Sequence, residues 1–184
     1  MNPSVFVRVV IVSCVFLGAI TVLAQEADST KSLSPSQVVQ RDVRSLQKAL
    51  YSGDVDTVLK HAHPKIIRTL GGKESARSTL KKLLKTIQIQ NMRTESFRFP
   101  KEPEFVKTKE HEFVVVPTLT VVAVGTQRVE SLNFQFGVRD LSSKEWKYIE
   151  GSRVNQGNVR ELFPDFPKSF TFPKFYRKKL PQAR

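Results

Sequence analysis

The chain has 184 residues, enough for one domain of ordinary size and too few for a second independent core. Its 30 Lys and Arg against 17 Asp and Glu give a formal charge of +13, which favours anionic surroundings such as membrane headgroups, acidic polysaccharide or nucleic acid. The lone cysteine, Cys14, excludes an intrachain disulfide; once the N-terminal segment is removed, thiol catalysis and cysteine-bound metal are excluded as well.

That segment reads as a signal peptide spanning residues 1–24. Met1 to Arg8 carries one positive charge and no acid, Val9 to Leu23 is almost wholly apolar, and Val22-Leu23-Ala24 supplies the small residue needed for cleavage between Ala24 and Gln25. An uncleaved membrane anchor is the rival reading, but Arg8 interrupts a run that would have to reach roughly 17 apolar residues. A lipoprotein signal at Ile11-Val12-Ser13-Cys14 fits less well, because the apolar run continues past the cysteine. The chain is therefore expected to be secreted or periplasmic, which sets nucleic acid aside as a partner. Gln25 to Leu33, polar and without apolar periodicity, follows as a flexible leader.

Ser34-Pro35-Ser36-Gln37 opens the first helix with a capping serine, a proline at the first helical position and a glutamine three residues after the cap. Val38, Val39, Val43, Leu46, Ala49 and Leu50 then recur at helical spacing and face inward. Ser52-Gly53-Asp54 ends that helix and caps a short second one, Val55 to His61, which His63-Pro64 closes. Lys65 to Leu70 adds a turn before Gly71-Gly72. A third helix runs from about Lys73 to Gln90, with Ala76, Leu80, Leu83, Leu84 and Ile87 as its apolar stripe.

After Asn91 the period changes to two. Thr94 to Phe99 and Phe105 to Lys109 are short strands separated by prolines, and Glu112 to Val124 is a long strand apolar on both faces, hence covered on both. Pro117 within it predicts a bulge that bends the sheet. Gly125-Thr126 turns into Gln127 to Val138, where Leu132, Phe134, Phe136 and Val138 alternate with Ser131, Asn133, Gln135 and Gly137; Val129, out of phase, hints at a second irregularity. Glu145 to Val154 is the last expected strand. The tail, residues 156–184, has a possible helical turn at Val159 to Phe163. Its prolines bar further sheet or helix, so its five phenylalanines should lie extended across the domain.

Three helices before a bent antiparallel sheet, Ser52-Gly53-Asp54-Val55-Asp56, the Leu50 to Ile67 stretch, the Leu70-Gly71-Gly72 step and the closing Trp146-Lys147-Tyr148-Ile149-Glu150-Gly151-Ser152 together resemble the nuclear transport factor 2-like superfamily, in particular uncharacterised secreted bacterial members. The resemblance covers roughly Ser34 to Asn155. It implies an α+β cone-shaped roll: three N-terminal helices on a strongly bent antiparallel sheet of about four to six strands, with a pocket at the wide end, the domain filling residues 34–155. The same scaffold serves isomerases, dehydratases, cyclases and non-catalytic modules, so it does not select a function.

Candidate chemistry is sparse. Trp146, Tyr148, Glu150 and Ser152 fall on one face of the last strand, and with Phe134 and Phe136 they could form an aromatic ligand wall bearing one carboxylate. Glu150 is the one candidate general base if it faces that pocket; otherwise the aromatics are ordinary core. His61 and His63, two apart, do not share a helical face, and a metal site would need His111, Asp54 or Asp56 as well; no metal and no cofactor is expected. The expected function is a non-catalytic module that binds a small apolar ligand or a protein. The alternatives are a small pocket enzyme of isomerase, dehydratase or cyclase type using Glu150, or a basic protein held to an anionic envelope surface. Dimerisation through the outer sheet face is plausible, although a tail packed there would account for the same apolar residues.

Overall fold

The computed structural model describes residues 32–181; the expected signal peptide, the Ala24–Gln25 cleavage site and most of the leader lie outside them. The chain runs through α1 (Pro35–Ser52), α2 (Val55–His61), α3 (Pro64–Thr69) and α4 (Lys73–Ile89). The sheet strands β1 (Arg93–Arg98), β2 (Glu104–Lys107), β3 (His111–Val124), β4 (Gln127–Asp140) and β5 (Lys147–Glu150) follow. A 3₁₀ turn (Gly151–Arg153), α5 (Val159–Leu162) and β6 (Tyr176–Leu180) complete it.

Local chemistry explains where the helices start and stop. Ser34 forms a full capping box with Gln37, Asp54 accepts from the Thr57 amide at 3.0 Å, and His63 opens α3 by accepting from the Lys65 amide through Nδ1 at 3.2 Å. His63 thus begins a helix rather than ending one. With Pro64 pre-set for the first helical position, Pro64–Thr69 forms a helix of its own, where a single turn over Lys65 to Leu70 was expected.

The sheet is built on one hairpin. β3 and β4 pair antiparallel without interruption from His111↔Asp140 to Val124↔Gln127. Each outer edge of this ribbon carries two short strands end to end. β2 pairs with residues 112–115 of β3 and β1 with residues 119–123; β5 pairs with residues 135–138 of β4 and β6 with residues 128–132.

This arrangement corrects the family resemblance and the fold drawn from it. The sheet is open and only mildly curved, with no closure into a cone or barrel, so the nuclear transport factor 2-like roll does not describe the chain. The physical reason lies at Pro117. It falls at residues 116–118, between the spans claimed by β2 and β1, where the outer edge of β3 has no strand to donate to. A proline costs nothing there, the β3–β4 register passes it unbroken, and the bulge that would have bent the sheet is absent. Val129 is likewise in register, opposite Val122. The one shift in the strand pairings falls between Thr94 and Ser96 in β1, at the margin of the sheet.

Both faces of the ribbon are covered. On one, α1 packs Val39 and Val43 onto Val114, Val116, Trp146 and Tyr148. Gly137 makes room for this contact, since a Cβ there would stand 2.6 Å from Val114 and 3.0 Å from the Tyr148 ring. On the other, Phe113, Val115, Phe134, Phe136, Val138 and Ile149 are sealed by Val154, Val159, Phe163, Phe166 and Phe170. The tail therefore completes a second core, with ring centroids 5.0 Å apart for Phe113–Phe166 and 5.4 Å for stacked Phe134–Phe172. It accounts for the apolar outer face without a second copy of the chain. Beyond Pro173 the tail also forms β6, contrary to the expectation that proline bars further sheet: five proline-free residues suffice for an edge strand paired on one side.

Candidate functional site

Between the four N-terminal helices and the sheet lies a cavity of about 670 Å³, within the range of roughly 300–1,000 Å³ usual for small-molecule sites. Its lid is apolar: Leu46 and Leu50 of α1, Leu59 of α2, Ile66 and Leu70 of α3, Leu80 and Leu83 of α4. Its floor is not. The alternation of β4 turns Ser131, Asn133 and Gln135 toward the helices, and β3 sets Thr118 and Thr120 opposite the first two of them as Thr120↔Ser131 and Thr118↔Asn133. The phenylalanines of β4 point the other way.

That result redistributes the residues expected to form an aromatic wall. Tyr148 and Glu150 line the cavity, with Ser152 beside them. Phe134 and Phe136 are buried on the opposite face under the tail. Trp146 precedes β5 and packs in the inner core, its ring 6.0 Å from Phe105 and 4.7 Å from the Arg139 guanidinium. The strand ends at Glu150 because the chain turns into the 3₁₀ segment, so the alternation from Trp146 to Ser152 does not continue as one strand face.

Glu150 sits opposite Gln135, and both of its carboxylate oxygens are engaged, one by Asn133 Nδ2 and the other by Ser152 Oγ. Asn133 in turn accepts from the Phe134 amide at 2.8 Å. The following glycine holds this network tight: a Cβ on Gly151 would lie 2.6 Å from the Phe134 carbonyl oxygen and 2.8 Å from Asn133 Oδ1. Tyr148 is buried, and its hydroxyl is 3.5 Å from an Asp42 oxygen; burial first and the Asp42 charge second push its ionisation well above the usual tyrosine range, so it stays a neutral donor. Tyr51, also in the wall, is raised by burial, opposed first by the Thr94 hydroxyl and then by the charge of Arg177.

The other charged residues in the wall are Arg153, from the 3₁₀ turn, and Arg177, from β6. Arg177 pairs with Ser131, so one row crosses four strands on the cavity side: Phe97, Thr120, Ser131, Arg177. Sequence reasoning missed both arginines. Arg177 required the β6 register, and only the alternation Tyr176, Lys178, Leu180 against Arg177, Lys179 hinted at a strand.

The histidines do not converge on a metal site as a group with Asp54 and Asp56. Asp54 caps α2 and Asp56 pairs with Arg77 at 2.6 Å. Among the described residues the one cluster of potential ligands is Glu110, His111 and Asp165. There Asp165 takes His111 Nδ1 at 3.0 Å and the Thr108 hydroxyl, a knot that ties the tail to the start of β3.

No protein-family model, curated protein or solved structure matches the chain. What the fold and the cavity define is an α+β domain with an open six-stranded sheet, one face carrying helices over a cavity and the other the chain's own aromatic tail.

Proposed function

We propose that this protein is a non-catalytic binding module that holds a small, largely apolar ligand between the helical lid and the sheet. The observation that supports this most directly is the cavity itself: an apolar lid over a floor with a few fixed polar groups is the usual composition of a ligand site. Glu150 is held by Asn133 and Ser152, one hydrogen bond to each oxygen, so it serves in this reading as a fixed polar group of the wall. The proposal includes export, resting on residues 1–24 alone. No described helix is long and apolar enough to cross a membrane.

The test is a thermal-shift screen of apolar and amphiphilic compounds, run in parallel on the native chain and on Thr120→Trp, which fills the cavity from its floor with a residue strands accept. Compounds that raise the melting temperature of the native chain and not of a folded Thr120→Trp support the site. Identical responses would sink it. If a screening compound is turned over and Glu150→Gln abolishes the turnover, the protein is an enzyme and the non-catalytic reading fails.

A further inference from the structure

Resting on the ligand-binding reading above, we infer that the ligand is an amphiphile whose apolar chain lies under the helices and whose anionic oxyacid head, carboxylate or phosphate, is held by Arg153 and Arg177. The strand register carries the argument. Pairing of Arg177 with Ser131 places the guanidinium on the same face as Thr120 and Ser131, in the cavity wall, and Arg153 enters that wall from the turn after β5.

Neither arginine forms an ion pair among the described residues, and the nearby acids are taken. Glu150 is satisfied by Asn133 and Ser152; Glu130, on the opposite face of β4, is held by Lys178 at 3.0 Å and by the Tyr176 hydroxyl at 2.9 Å. Two guanidinium groups against the single Glu150 carboxylate leave a net positive charge in the wall. All three charged lining groups come from the segment 150–177, whereas the helices contribute leucine, isoleucine and valine with the uncharged polar Gln47 and Tyr51. The cavity is thus polarised, with an apolar side and a cationic side, the division an amphiphile has. Guanidinium donates paired N–H groups to carboxylate or phosphate oxygens, and a sterol, an alkane or an amine head offers no such pair of acceptors.

The experiment is isothermal titration of the full chain at low salt with dodecanoate, dodecyl phosphate, dodecanol and dodecylammonium, each below its aggregation threshold. At least one of the two anions should bind about tenfold tighter than dodecanol, with dodecylammonium weakest. Arg153→Gln and Arg177→Gln, both at exposed positions that tolerate exchange, should each weaken the anion by about three- to tenfold and leave dodecanol unchanged. Preference for dodecyl phosphate over dodecanoate identifies a phosphorylated lipid as the source, and the reverse a fatty acid. Equal binding of anions and dodecanol, or a double variant that binds the anions as the native chain does, overturns the head-group assignment and leaves the cavity reading standing. Anion binding that survives Thr120→Trp is adsorption to a basic surface and overturns the inference. Failure of all four compounds overturns the cavity reading as well.

Discussion

His63 makes the stability of this fold sensitive to acid in a way that can be isolated. Its ring lies edge-on to Phe163 at 5.1 Å, and its Nδ1 must be unprotonated to accept the Lys65 amide that starts α3. Burial, then the charges of Lys65, Arg68 and His111, drive its pKa down to about 4, opposed only by Asp140. In the unfolded chain the same ring titrates near 6.5. A base whose folded pKa is depressed contributes in full above the unfolded value, and the contribution is lost as pH falls from about 6.5 toward 4. Fully expressed, the difference would be about 3 kcal/mol. For a ring that water reaches in part, screening brings it to about 1–2 kcal/mol. His63→Asn keeps a capping acceptor and removes the titration. Urea unfolding of both proteins at several pH values between about 7 and 4 should show the native chain losing that much more stability than the variant, the other titrations cancelling in the comparison. Parallel stability curves would refute the reasoning.

The tail core makes a sharp contrast between two phenylalanines nine residues apart in sequence: Phe166→Ala, at a site 2% exposed, should cost about 3–5 kcal/mol, and Phe175→Ala, at 63% exposed, within about 0.5, by denaturant midpoint. Near-equal effects would mean that the tail does not seal the outer face. Gly151→Ala should cost about 1–3 kcal/mol, because the clashing atom is the Phe134 carbonyl oxygen, fixed in β4, and not a side chain that can swing away. A stability unchanged within about 0.3 kcal/mol would show that the turn after β5 is looser than drawn. Asp165→Asn should weaken the His111–Thr108 knot, detected as faster proteolysis of the tail; undiminished protection would make the knot incidental.

The helices were legible because their signals are local. Ser34 to Gln37 and Gly53-Asp54 specify where chains start and stop by their own hydrogen bonds, whatever they later pack against. Alternation in β3 and β4 likewise identified the strands and their two faces. What alternation cannot say is which face meets which layer. Phe134 and Phe136 looked like pocket wall because aromatics were assigned to the helix side; the tail, 30 residues on, supplies four phenylalanines and claims that face instead. Register between distant strands was equally hidden. Nothing near Pro117 tells that the pairing with β2 stops at residue 115 of β3 and the pairing with β1 starts at 119, and so a residue that reads as a bend lies in an unbent strand.

The same inversion explains why a cavity exists at all. Had the phenylalanines of β4 faced the helices, the leucines of α1 and α4 would have met an apolar surface and closed on it, as cores do. They meet Thr120 and Ser131, whose hydroxyl groups find no hydrogen-bond partners in leucine side chains. Pressing the lid onto that floor would bury polar groups unpaired, at a cost of about 1–3 kcal/mol each. The helices are instead held off by contacts at the far end of the ribbon, where Val39 and Val43 reach Val114, Val116 and Tyr148 across the space left by Gly137. A partly polar floor under an apolar lid, wedged open at one end, is thus an arrangement with room inside it. The amphiphile inferred above would fit that arrangement with its chain against the lid and its head against the two arginines.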